Sequence, residues 1–547
     1  MKYICLLLLI SFLIINPVSS NGQVNREWTS LFNSSSNDND EVASMSVDVS
    51  GNVYVTGYSI VSGSNKDFIT IKYNSAGVSQ WIARYNNPDM NDDDEAISLT
   101  TDAQGNVYVT GFSQGNGTFK DFLTVKYSPA GNELWVARYN GTGNDDDIAV
   151  SVKVTNSGNV IVSGTSVGDL TSEDYLTIMY NSNGVEQWTA RYNNDLVDDI
   201  DIAKSMTIDG FGNVYVTGFS YGLSKNEDYA VVKYNSSGTE QWVARYNGPS
   251  DSYDISTDII TDISGNVYVT GYSYDTLSFE DYATIKYNSN GEQQWLAKYN
   301  GASDKFDIAA SLTTDNAGNV FVTGYSYNDV SSEDYATIKY NSNGEQQWIS
   351  LYNGTGNDFD IATSIKSDVN GNVYVAGYSY GTGTQEDFAT VKYNPAGEQQ
   401  WAEIYNGDAD SSDIAATLAL DQSGNIYTSG YSYVNSTGFD FITIKYSQTV
   451  GVNQNTGIIP EKFVLEQNYP NPFNPNTVIR YSIGNAGYTS LTVYNLVGIE
   501  VSALISENLQ AGSYSAEFNA ANFPSGVYYY KLTSGDFTQV KKMILVK

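Results

Sequence analysis

The sequence lacks two residue types on which much enzyme chemistry depends. The 547-residue chain contains no histidine, and its one cysteine, Cys5, lies within the first twenty residues. Without histidine, Ser-His-Asp and Cys-His catalysis, histidine-ligated zinc and histidine general bases are excluded. Beyond residue 20 there is no thiolate and no disulfide, so stability outside the cell has to come from packing.

Long apolar runs are also scarce. The run ICLLLLISFLII covers Ile4–Ile15, with Lys2 before it and Val18-Ser19-Ser20 after it. A charged start, a short apolar stretch and small residues predict a secretory signal peptide over residues 1–20. The run is too short for a comfortable transmembrane helix, and no other segment approaches its length. We therefore expect a mature chain without a transmembrane segment, either soluble or attached to a surface.

Positive charge is scarce as well. The formal net charge is -35 at pH 7, and residues 460–547 carry six basic and six acidic residues, so the repeat region holds the excess. Such a surface argues against binding to a nucleic-acid backbone. It favours solubility, cation binding, or a basic or neutral partner.

The chain contains eight copies of one unit. Its motif GNVYVTGYS begins with a glycine that recurs every 53 or 54 residues: Gly51, Gly105, Gly158, Gly212, Gly265, Gly318, Gly371 and Gly424. All eight tryptophans follow the same period: Trp28, Trp81, Trp135, Trp188, Trp242, Trp295, Trp348 and Trp401. Repetition at a fixed period is the signature of a repeat architecture.

Each unit predicts four short strands. In one well-formed copy these are Ile308–Asp315, Asn319–Ser326, Asp334–Asn341 and Glu345–Asn353, all rich in Val, Ile, Thr and Tyr. The sequences NAG and SNG between them carry the Asn and Gly typical of hairpins. Four strands in a unit of this length is the size of one β-propeller blade.

The two ends of the repeat region complement each other. The strand around Trp28 has no strand of the third type before it, and the third-type strand Asp440–Tyr446 has no tryptophan strand after it. We therefore expect the N-terminal strand to complete the last blade. The predicted fold over residues 21–446 is an all-β, closed, eight-bladed propeller, which leaves no open sheet edge. A linear solenoid is the alternative, but it would not need matching orphan strands.

The motifs GNVYVTGYS and DYATIKYN, followed by the tryptophan, resemble the secreted bacterial β-propeller repeat family of the SBBP type. The resemblance covers about residues 21–446. It implies the propeller fold and a secreted protein, and it says little about chemistry.

The C-terminal region has a different pattern. Residues 447–459 are polar and uncharged and predict a linker. After them come NYPNPFNP, VYNLVG, SGVYYYKL and a basic end, within residues 460–547. Alternating strands and turns predict a small antiparallel β-sandwich. The motifs closely resemble the type A C-terminal sorting domain of the type IX secretion system. This resemblance implies export by that machinery, removal of the domain, and release or anchoring at the surface of a bacterium of the Bacteroidetes–Chlorobi kind. A plain sandwich module is the alternative.

Two aspartates recur in every unit, on the face where the connecting segments vary. Variable segments on a rigid ring are where binding specificity is usually found. One aspartate enters the first strand, at Asp40, Asp94, Asp147, Asp201, Asp254, Asp307, Asp360 and Asp413. The other enters the third strand, at Asp67, Asp121, Asp174, Asp228, Asp281, Asp334, Asp387 and Asp440.

The aspartates have two interpretations. A carboxylate at a strand entry can accept hydrogen bonds from loop N–H groups and fix a turn, and presence in every unit favours that role. The alternative is ligand or cation binding by the first-strand aspartates from Asp94 to Asp413. For a metal, the candidates are the acidic runs Asp92-Asp93-Asp94 and Asp145-Asp146-Asp147, since calcium prefers oxygen ligands. No cofactor is required by the sequence, and calcium is the one candidate ion.

Tyrosines are the second set of candidates. The chain has 45, and in GYSY the second tyrosine begins a variable loop: Tyr274, Tyr327, Tyr380 and Tyr433. Rings beside carboxylates suit the faces and hydroxyls of sugars, although packing is the competing role.

An enzyme would need a unit that departs from the repeat. The departures are Met179 for the lysine of IKY, Asp258 for serine, and Leu351 and Ile404 for the arginine of the fourth strand. They assemble no acid and base pair of the glycosidase kind. We therefore expect a monomeric, non-enzymatic, exported scaffold that binds a glycan or a protein. A glycan-degrading enzyme and a structural surface-layer component are the alternatives.

Overall fold

In a computed structural model, the described residues are 24–547 except 62–64, 170, 195–198, 224–225, 449–462, 486, 510, 521–522 and 536. The predicted signal peptide and nearly all of the predicted linker lie outside the described residues. Every regular element within them is a β-strand, so the predicted all-β class is confirmed. The described part of the chain forms no helix long and apolar enough to cross a membrane.

The chain divides into two compact units. The larger spans Arg26–Ser447, and the other contains the strands that follow residue 463. The larger unit consists of eight antiparallel four-stranded sheets, numbered here 1 to 8 in chain order of their first strands.

The four strands of each sheet come from one copy of the repeat, except in sheet 8. The first strands are β2 (Asp40–Val47), β6 (Asp94–Thr101), β10 (Asp147–Val154), β14 (Asp201–Ile208), β18 (Asp254–Thr261), β22 (Asp307–Thr314), β26 (Asp360–Ser367) and β30 (Asp413–Leu420). The second strands are β3 (Val53–Ile60), β7 (Val107–Gly115), β11 (Val160–Val167), β15 (Val214–Tyr221), β19 (Val267–Asp275), β23 (Val320–Asn328), β27 (Val373–Tyr380) and β31 (Ile426–Val434).

The third strands are β4 (Lys66–Tyr73), β8 (Phe119–Tyr127), β12 (Glu173–Tyr180), β16 (Glu227–Tyr234), β20 (Phe279–Tyr287), β24 (Ser332–Tyr340), β28 (Glu386–Tyr393) and β32 (Gly438–Gln448). The fourth strands are β1 (Val24–Phe32), β5 (Ser79–Tyr85), β9 (Glu133–Tyr139), β13 (Glu186–Tyr192), β17 (Glu240–Tyr246), β21 (Gln293–Tyr299), β25 (Gln346–Tyr352) and β29 (Gln399–Tyr405). In sheet 8 the fourth strand is β1, which pairs with β32.

The second strands are apolar on both sides because both sides are covered. Val53, Tyr54 and Val55 are all 0% exposed, and the same positions are buried in the other sheets. Each first strand carries a β-bulge, as between Ala309 and Ser311 in sheet 6. Beside the bulge the first strand approaches closely, so a Cβ on Gly324 of the second strand would lie 1.9 Å from the Ile308 carbonyl oxygen. The glycine of the GYS sequence is therefore required by backbone contact.

The hairpin turns between first and second strands are fixed by a glycine and by an aspartate, which is replaced by Thr155 in sheet 3. In sheet 1 the Asp48 carboxylate accepts hydrogen bonds from the amides of Ser50 and Asn52, both at 2.9 Å. Gly51 adopts a φ of 74°, a left-handed conformation that glycine tolerates without strain. This explains why the motif begins with Gly in all eight copies.

Tryptophans join neighbouring sheets at every junction but that of sheets 7 and 8, where the buried Trp401 indole nitrogen has no hydrogen-bond partner among the described residues. The Trp188 indole donates a hydrogen bond to the Ser236 carbonyl oxygen of the next sheet at 3.2 Å, and its ring covers Gly238. The first strands of adjacent sheets also contact one another. Seven junctions, those between successive sheets from 1 to 7 and that between sheets 8 and 1, each bury an apolar cluster among the described residues, so the core of this unit is a series of layers between sheets.

The second compact unit has seven strands in two sheets around one apolar core. They are β33 (Val464–Leu465), β34 (Asn476–Ile483), β35 (Gly487–Asn495), β36 (Glu500–Leu509), β37 (Gly512–Asn519), β38 (Gly526–Ser534) and β39 (Phe537–Leu545). One sheet has the order β33-β34-β37 and the other β36-β35-β38-β39. The Tyr530 hydroxyl donates to the Glu466 carbonyl oxygen at 2.8 Å, which fastens the NYPNPFNP segment to the SGVYYYKL strand.

Candidate functional site

Antiparallel pairing gives each sheet two ends with different connections. The tight hairpins between first and second strands, and between third and fourth strands, lie at one end, here called the turn face. The segments before each first strand, and between second and third strands, lie at the other end, here called the loop face. The sequence predictions for a site fall on the loop face.

The first-strand aspartates are buried beneath the loop face. Asp94 is 0% exposed, and its Oδ2 atom accepts a hydrogen bond from the Asn87 amide at 2.8 Å. Burial raises the pKa of the Asp94 carboxyl to about 6, although hydrogen bonds from Ser113 and Asn87 act in the opposite direction. The same bond holds the preceding loop in every sheet, from the amides of Ser34, Asn87, Gly141, Asn194, Gly248, Gly301, Gly354 and Gly407. These contacts favour the structural interpretation, and ligand binding by these aspartates stays a prediction.

The third-strand aspartates of sheets 1 to 4 receive a cationic partner from the fourth strand. In sheet 2 the Arg138 guanidinium donates to Asp121 Oδ2 at 2.7 Å and to the Ser113 carbonyl oxygen at 3.0 Å. Arg84, Arg191 and Arg245 take the equivalent place in sheets 1, 3 and 4. The aspartates are 0–8% exposed in these pairs, so the pairs are largely buried.

The acidic runs link the loops of neighbouring sheets. Asp92 Oδ1 accepts from the Asn65 side chain at 3.0 Å, and Asp93 Oδ1 accepts from the Lys66 amide at 3.3 Å. In the next run, Asp146 Oδ1 accepts from the Lys120 amide at 3.3 Å. Among the described residues, no three acidic side chains are grouped so that they could hold a metal ion together. Calcium binding at these runs therefore has no support from the geometry and stays a prediction.

The four loop-face tyrosines are half-buried and stand beside aromatic partners. Tyr274 lies 5.1 Å from Tyr253, measured between ring centroids, and Tyr327 lies 5.1 Å from Phe306. Tyr380 lies 6.0 Å from Phe359. In these three pairs the partner is the residue directly before a first-strand aspartate, and a backbone hydrogen bond such as Tyr274 N to Tyr253 O at 3.1 Å holds the pair. Tyr433 instead lies 5.4 Å from Phe439.

Sequence reasoning did not find these partners. Together with the tyrosines they form an arc on the loop face of sheets 5 to 8, here called the aromatic arc: Tyr253, Tyr274, Phe279, Phe306, Tyr327, Phe359, Tyr380, Tyr433 and Phe439. Phe279 is 49% exposed and Phe359 is 42% exposed. The sequence does indicate these partners. Copies 5 to 7 have an aromatic residue directly before the first-strand aspartate, where copies 1 to 3 have Asn or Asp.

Carboxylates accompany the aromatic arc. The Tyr253 hydroxyl donates to Glu280 Oε1 at 2.5 Å, and the Tyr380 hydroxyl donates to Glu386 Oε1 at 2.9 Å. Burial raises the pKa of Tyr380 to about 12, with Glu386 acting in the same direction, so its hydroxyl remains a donor at neutral pH. Other sheets carry single rings on the loop face, such as Phe119 in sheet 2, which is 56% exposed, but the paired rings described here lie on sheets 5 to 8.

The departures from the repeat do not form a catalytic pair. Asp258 lies on a first strand and joins its neighbours, because its carboxylate accepts from the Ser205 and Ser311 hydroxyls at 3.1 and 3.0 Å. In sheet 3, Thr155, Ile161 and Met179 stand where other sheets have Asp, Tyr and Lys, and a cavity of about 440 Å³ on the turn face touches two of them, Thr155 and Met179. Both places lie away from the aromatic arc.

Two family models match the chain. Residues 467–547 match the "Secretion system C-terminal sorting domain", and residues 27–63 and 241–277 match a "Beta-propeller repeat". Both resemblances predicted from the motifs are therefore confirmed.

One curated relative is described as an uncharacterized WD repeat-containing protein of Acanthamoeba polyphaga mimivirus. It is 25% identical over 460 residues, which is 64% of this chain and 31% of the relative. The chain thus spans about a third of the length of that relative.

Solved structures whose backbones partly superpose on this chain include PorZ, an essential surface component of the type IX secretion system of Porphyromonas gingivalis. It is 13% identical, with a TM-score of 0.38, over 91% of this chain and 68% of that chain. A fungal alcohol oxidase of the AA5 family, in complex with copper, is 14% identical, with a TM-score of 0.39, over 96% of this chain and 100% of that chain. Likenesses at this level carry no argument about activity.

Proposed function

Since the chain carries β-propeller repeats and a type IX C-terminal sorting domain, we propose that it is an exported, non-enzymatic protein that binds a glycan through the aromatic arc. The sorting domain indicates handling by the type IX machinery and a cell-surface or secreted location. Removal of that domain, and release or anchoring of the rest, belong to the proposal.

We also propose that the eight sheets are the blades of a closed ring. The junction between sheets 8 and 1 has the contacts of the other junctions: the Trp28 indole donates to the Ser75 carbonyl oxygen at 3.1 Å, as Trp188 does to Ser236 at 3.2 Å. In addition, β2 contacts β30 and β31, and Val42 shares an apolar cluster with Tyr427. A closed ring places all eight loop-face segments around one opening, and the only sheet edges it leaves are the short first and fourth strands of each sheet.

The observation that carries the binding proposal is the aromatic arc on one side of that face, in which Phe279 and Phe359 are exposed and the other rings are half-buried. Leu277 and Val330, on loops beside the arc, are 86% and 85% exposed, so the apolar surface continues beyond the rings. Contiguous exposed apolar surface on a protein usually marks an interaction site. Aromatic rings with hydroxyls and carboxylates between them provide flat apolar surfaces and polar acceptors together, which suits a neutral sugar polymer.

A non-enzymatic role is proposed because the carboxylates near the arc are committed to the fold. The first-strand aspartates bond to their loops in every sheet, and Glu280 and Glu386 accept hydrogen bonds from tyrosines. A pair acting as acid and base has to be free to exchange protons with a substrate. A glycan-degrading enzyme and a structural surface-layer component remain the alternative functions.

The test is a binding assay on a panel of soluble polysaccharides, comparing the unmodified protein with Tyr274→Ala, Tyr327→Ala and Tyr380→Ala combined. Loss of three rings should lower the association constant at least about tenfold, which corresponds to about 1.4 kcal/mol. Phe211→Ala is the matched control, because Phe211 is 81% exposed on the turn face.

Two results would count against the glycan proposal. Binding that survives the triple substitution would place the site elsewhere. Binding of no polysaccharide, together with loss of a protein partner in the triple variant, would make the arc a protein-binding surface. Release of reducing sugar ends during the assay would favour the enzyme.

A further inference from the structure

Each sheet carries a row of polar side chains across its first three strands. In sheet 7 the register pairs Asp360 with Ser379 and Ser379 with Asp387. The row faces the preceding sheet, whose fourth-strand tyrosine reaches it. In sheet 6, for example, the Ser326 hydroxyl lies 3.3 Å from the Tyr299 hydroxyl of sheet 5. The register therefore places a serine between two carboxylates in each row, and a tyrosine of the preceding sheet reaches the serine in the pair named here.

In five sheets the row also contains a cationic side chain from the fourth strand. Arginine provides it in sheets 1 to 4, and Lys298 provides it in sheet 5, where its ammonium donates to the Ser273 hydroxyl at 3.2 Å. The Arg191 guanidinium binds three members of its row: Asp174 Oδ2, the Ser166 carbonyl oxygen and the Ser166 hydroxyl, each at 2.7 Å. The row is therefore a binding site for a cationic group.

In the other three sheets this position is apolar. Leu351 in sheet 6, Ile404 in sheet 7 and Leu31 in sheet 8 are 51%, 43% and 49% exposed. The aspartates of these rows remain 0–3% exposed: Asp307 and Asp334, Asp360 and Asp387, and Asp413 and Asp440. The burial of two carboxylates is the same as in the other sheets, but the chain supplies no positive charge at this position.

The third-strand aspartates of these rows also have an unused oxygen. Asp334, Asp387 and Asp440 each accept a hydroxyl hydrogen bond on Oδ2 at 2.8 Å, from Ser331, Thr384 and Thr437. In each of the three, the buried Oδ1 atom has no hydrogen-bond partner among the described residues, as in Asp121, Asp228 and Asp281, so the missing cation is what sets these rows apart. A buried carboxylate without a counter-charge is costly, so a compensating cation is expected.

We propose that the rows of sheets 6, 7 and 8 each bind a calcium ion in the place that arginine or lysine fills in the other five sheets. The ligands are the two aspartate carboxylates, the serine hydroxyl and the serine carbonyl oxygen of each row. All are hard oxygen ligands, and two carboxylates match a divalent charge. The remaining positions of a six- to eight-coordinate ion are filled by water.

A proton is the competing counter-charge. Burial raises the pKa of Asp387 to about 6, and it raises the pKa of Asp440 to about 6 as well. A proton competes less as the pH rises, so calcium binding is measured at pH 8. The proposal concerns the junctions between sheets and does not depend on glycan binding by the loop face.

The experiment measures bound calcium on the full chain after removal of the signal peptide. Equilibrium dialysis at pH 8 in 150 mM KCl, chosen as about physiological ionic strength to screen the acidic surface, compares the protein with Leu31→Arg, Leu351→Arg and Ile404→Arg combined. The unmodified protein should bind three more calcium ions per chain than this variant. Its thermal midpoint should rise with calcium, and that rise should disappear in the variant.

Two controls make the result specific. The same three positions changed to methionine should keep the calcium, since methionine brings no charge. Arg191→Leu gives sheet 3 the residue type of sheet 6 and should bind one additional calcium ion. This variant tests the proposal even if the triple arginine variant does not fold. Equal calcium content in the arginine variant and the unmodified protein, or no gain in Arg191→Leu, overturns the proposal. A thermal midpoint that ignores calcium and rises only on acidification assigns the counter-charge to protons and overturns it too.

Discussion

Substitutions of Asp94 test whether its carboxylate stabilises the fold or binds a ligand. Its Oδ2 atom accepts the Asn87 amide at 2.8 Å, and the side chain is fully buried. Asn is a neutral substitute of the same shape that retains one acceptor oxygen, whereas Ala removes the acceptor. The two variants Asp94→Asn and Asp94→Ala therefore separate the cost of the charge from the cost of the hydrogen bond.

The magnitudes follow from burial. The pKa of Asp94 is raised to about 6 in the folded protein, mainly by burial. The value for an unfolded chain is about 3.9, and each unit of difference corresponds to about 1.36 kcal/mol. Ionised Asp94 thus costs about 3 kcal/mol at pH 8. Because the folded pKa is the higher one, its contribution to stability is fully present below about pH 4 and is lost as the pH rises to about 6.

Asp94→Asn should therefore be more stable than the unmodified protein at pH 8 by up to about 3 kcal/mol. The difference should shrink as the pH is lowered to 5. Asp94→Ala should be less stable than Asp94→Asn at both pH values by about 1–3 kcal/mol, since it leaves the Asn87 amide unpaired. Urea unfolding followed by tryptophan fluorescence, in the presence of a chelator, measures these differences. If Asp94→Asn is the less stable protein at pH 8, the folded protein stabilises the ionised carboxylate and the reasoning from burial fails.

Three further predictions concern the repeat itself. Gly324→Ala should lower stability by about 1–3 kcal/mol or more, because its Cβ would lie 1.9 Å from the backbone oxygen of Ile308. A Cβ on Gly210 would have nothing within 4 Å, so Gly210→Ala should leave stability unchanged. Urea unfolding measures both variants. Lys233→Met should cost at most about 1 kcal/mol by urea unfolding, since the ammonium lies over a tyrosine ring at 5.1 Å and sheet 3 naturally has methionine there. Deleting β1 should unpair the edge of β32 and cause aggregation detectable by light scattering, whereas an unchanged monomer would contradict its place in sheet 8.

The repeat made much of the fold predictable. Equivalent residues recur eight times, so the four strands, the turn glycines and the orphan strand around Trp28 could be recognised without any structure. The period also identified both sets of aspartates. It did not reveal that Asp94 is buried under its own loop, because burial depends on how the segment from Asn87 folds back over the strand.

The rest of the candidate site depends on contacts between residues distant in sequence. Tyr253 meets Tyr274 only because the segment before the first strand pairs with the end of the second strand. The arginine position was visible in sequence, and so was its replacement by Leu351 and Ile404. This replacement leaves two buried carboxylates without a cation. The structure is needed to see it, because only the register places Asp360, Ser379 and Asp387 side by side.

The ring is the premise of the proposed binding face, and small-angle X-ray scattering of residues 21–448 tests it most directly. A closed, compact unit of this size should have a radius of gyration of about 22 Å. Its scattering should fit a short hollow cylinder with a central opening. A clearly larger radius, with scattering typical of an elongated arc or rod, would mean that sheets 8 and 1 do not join and would contradict the closed ring.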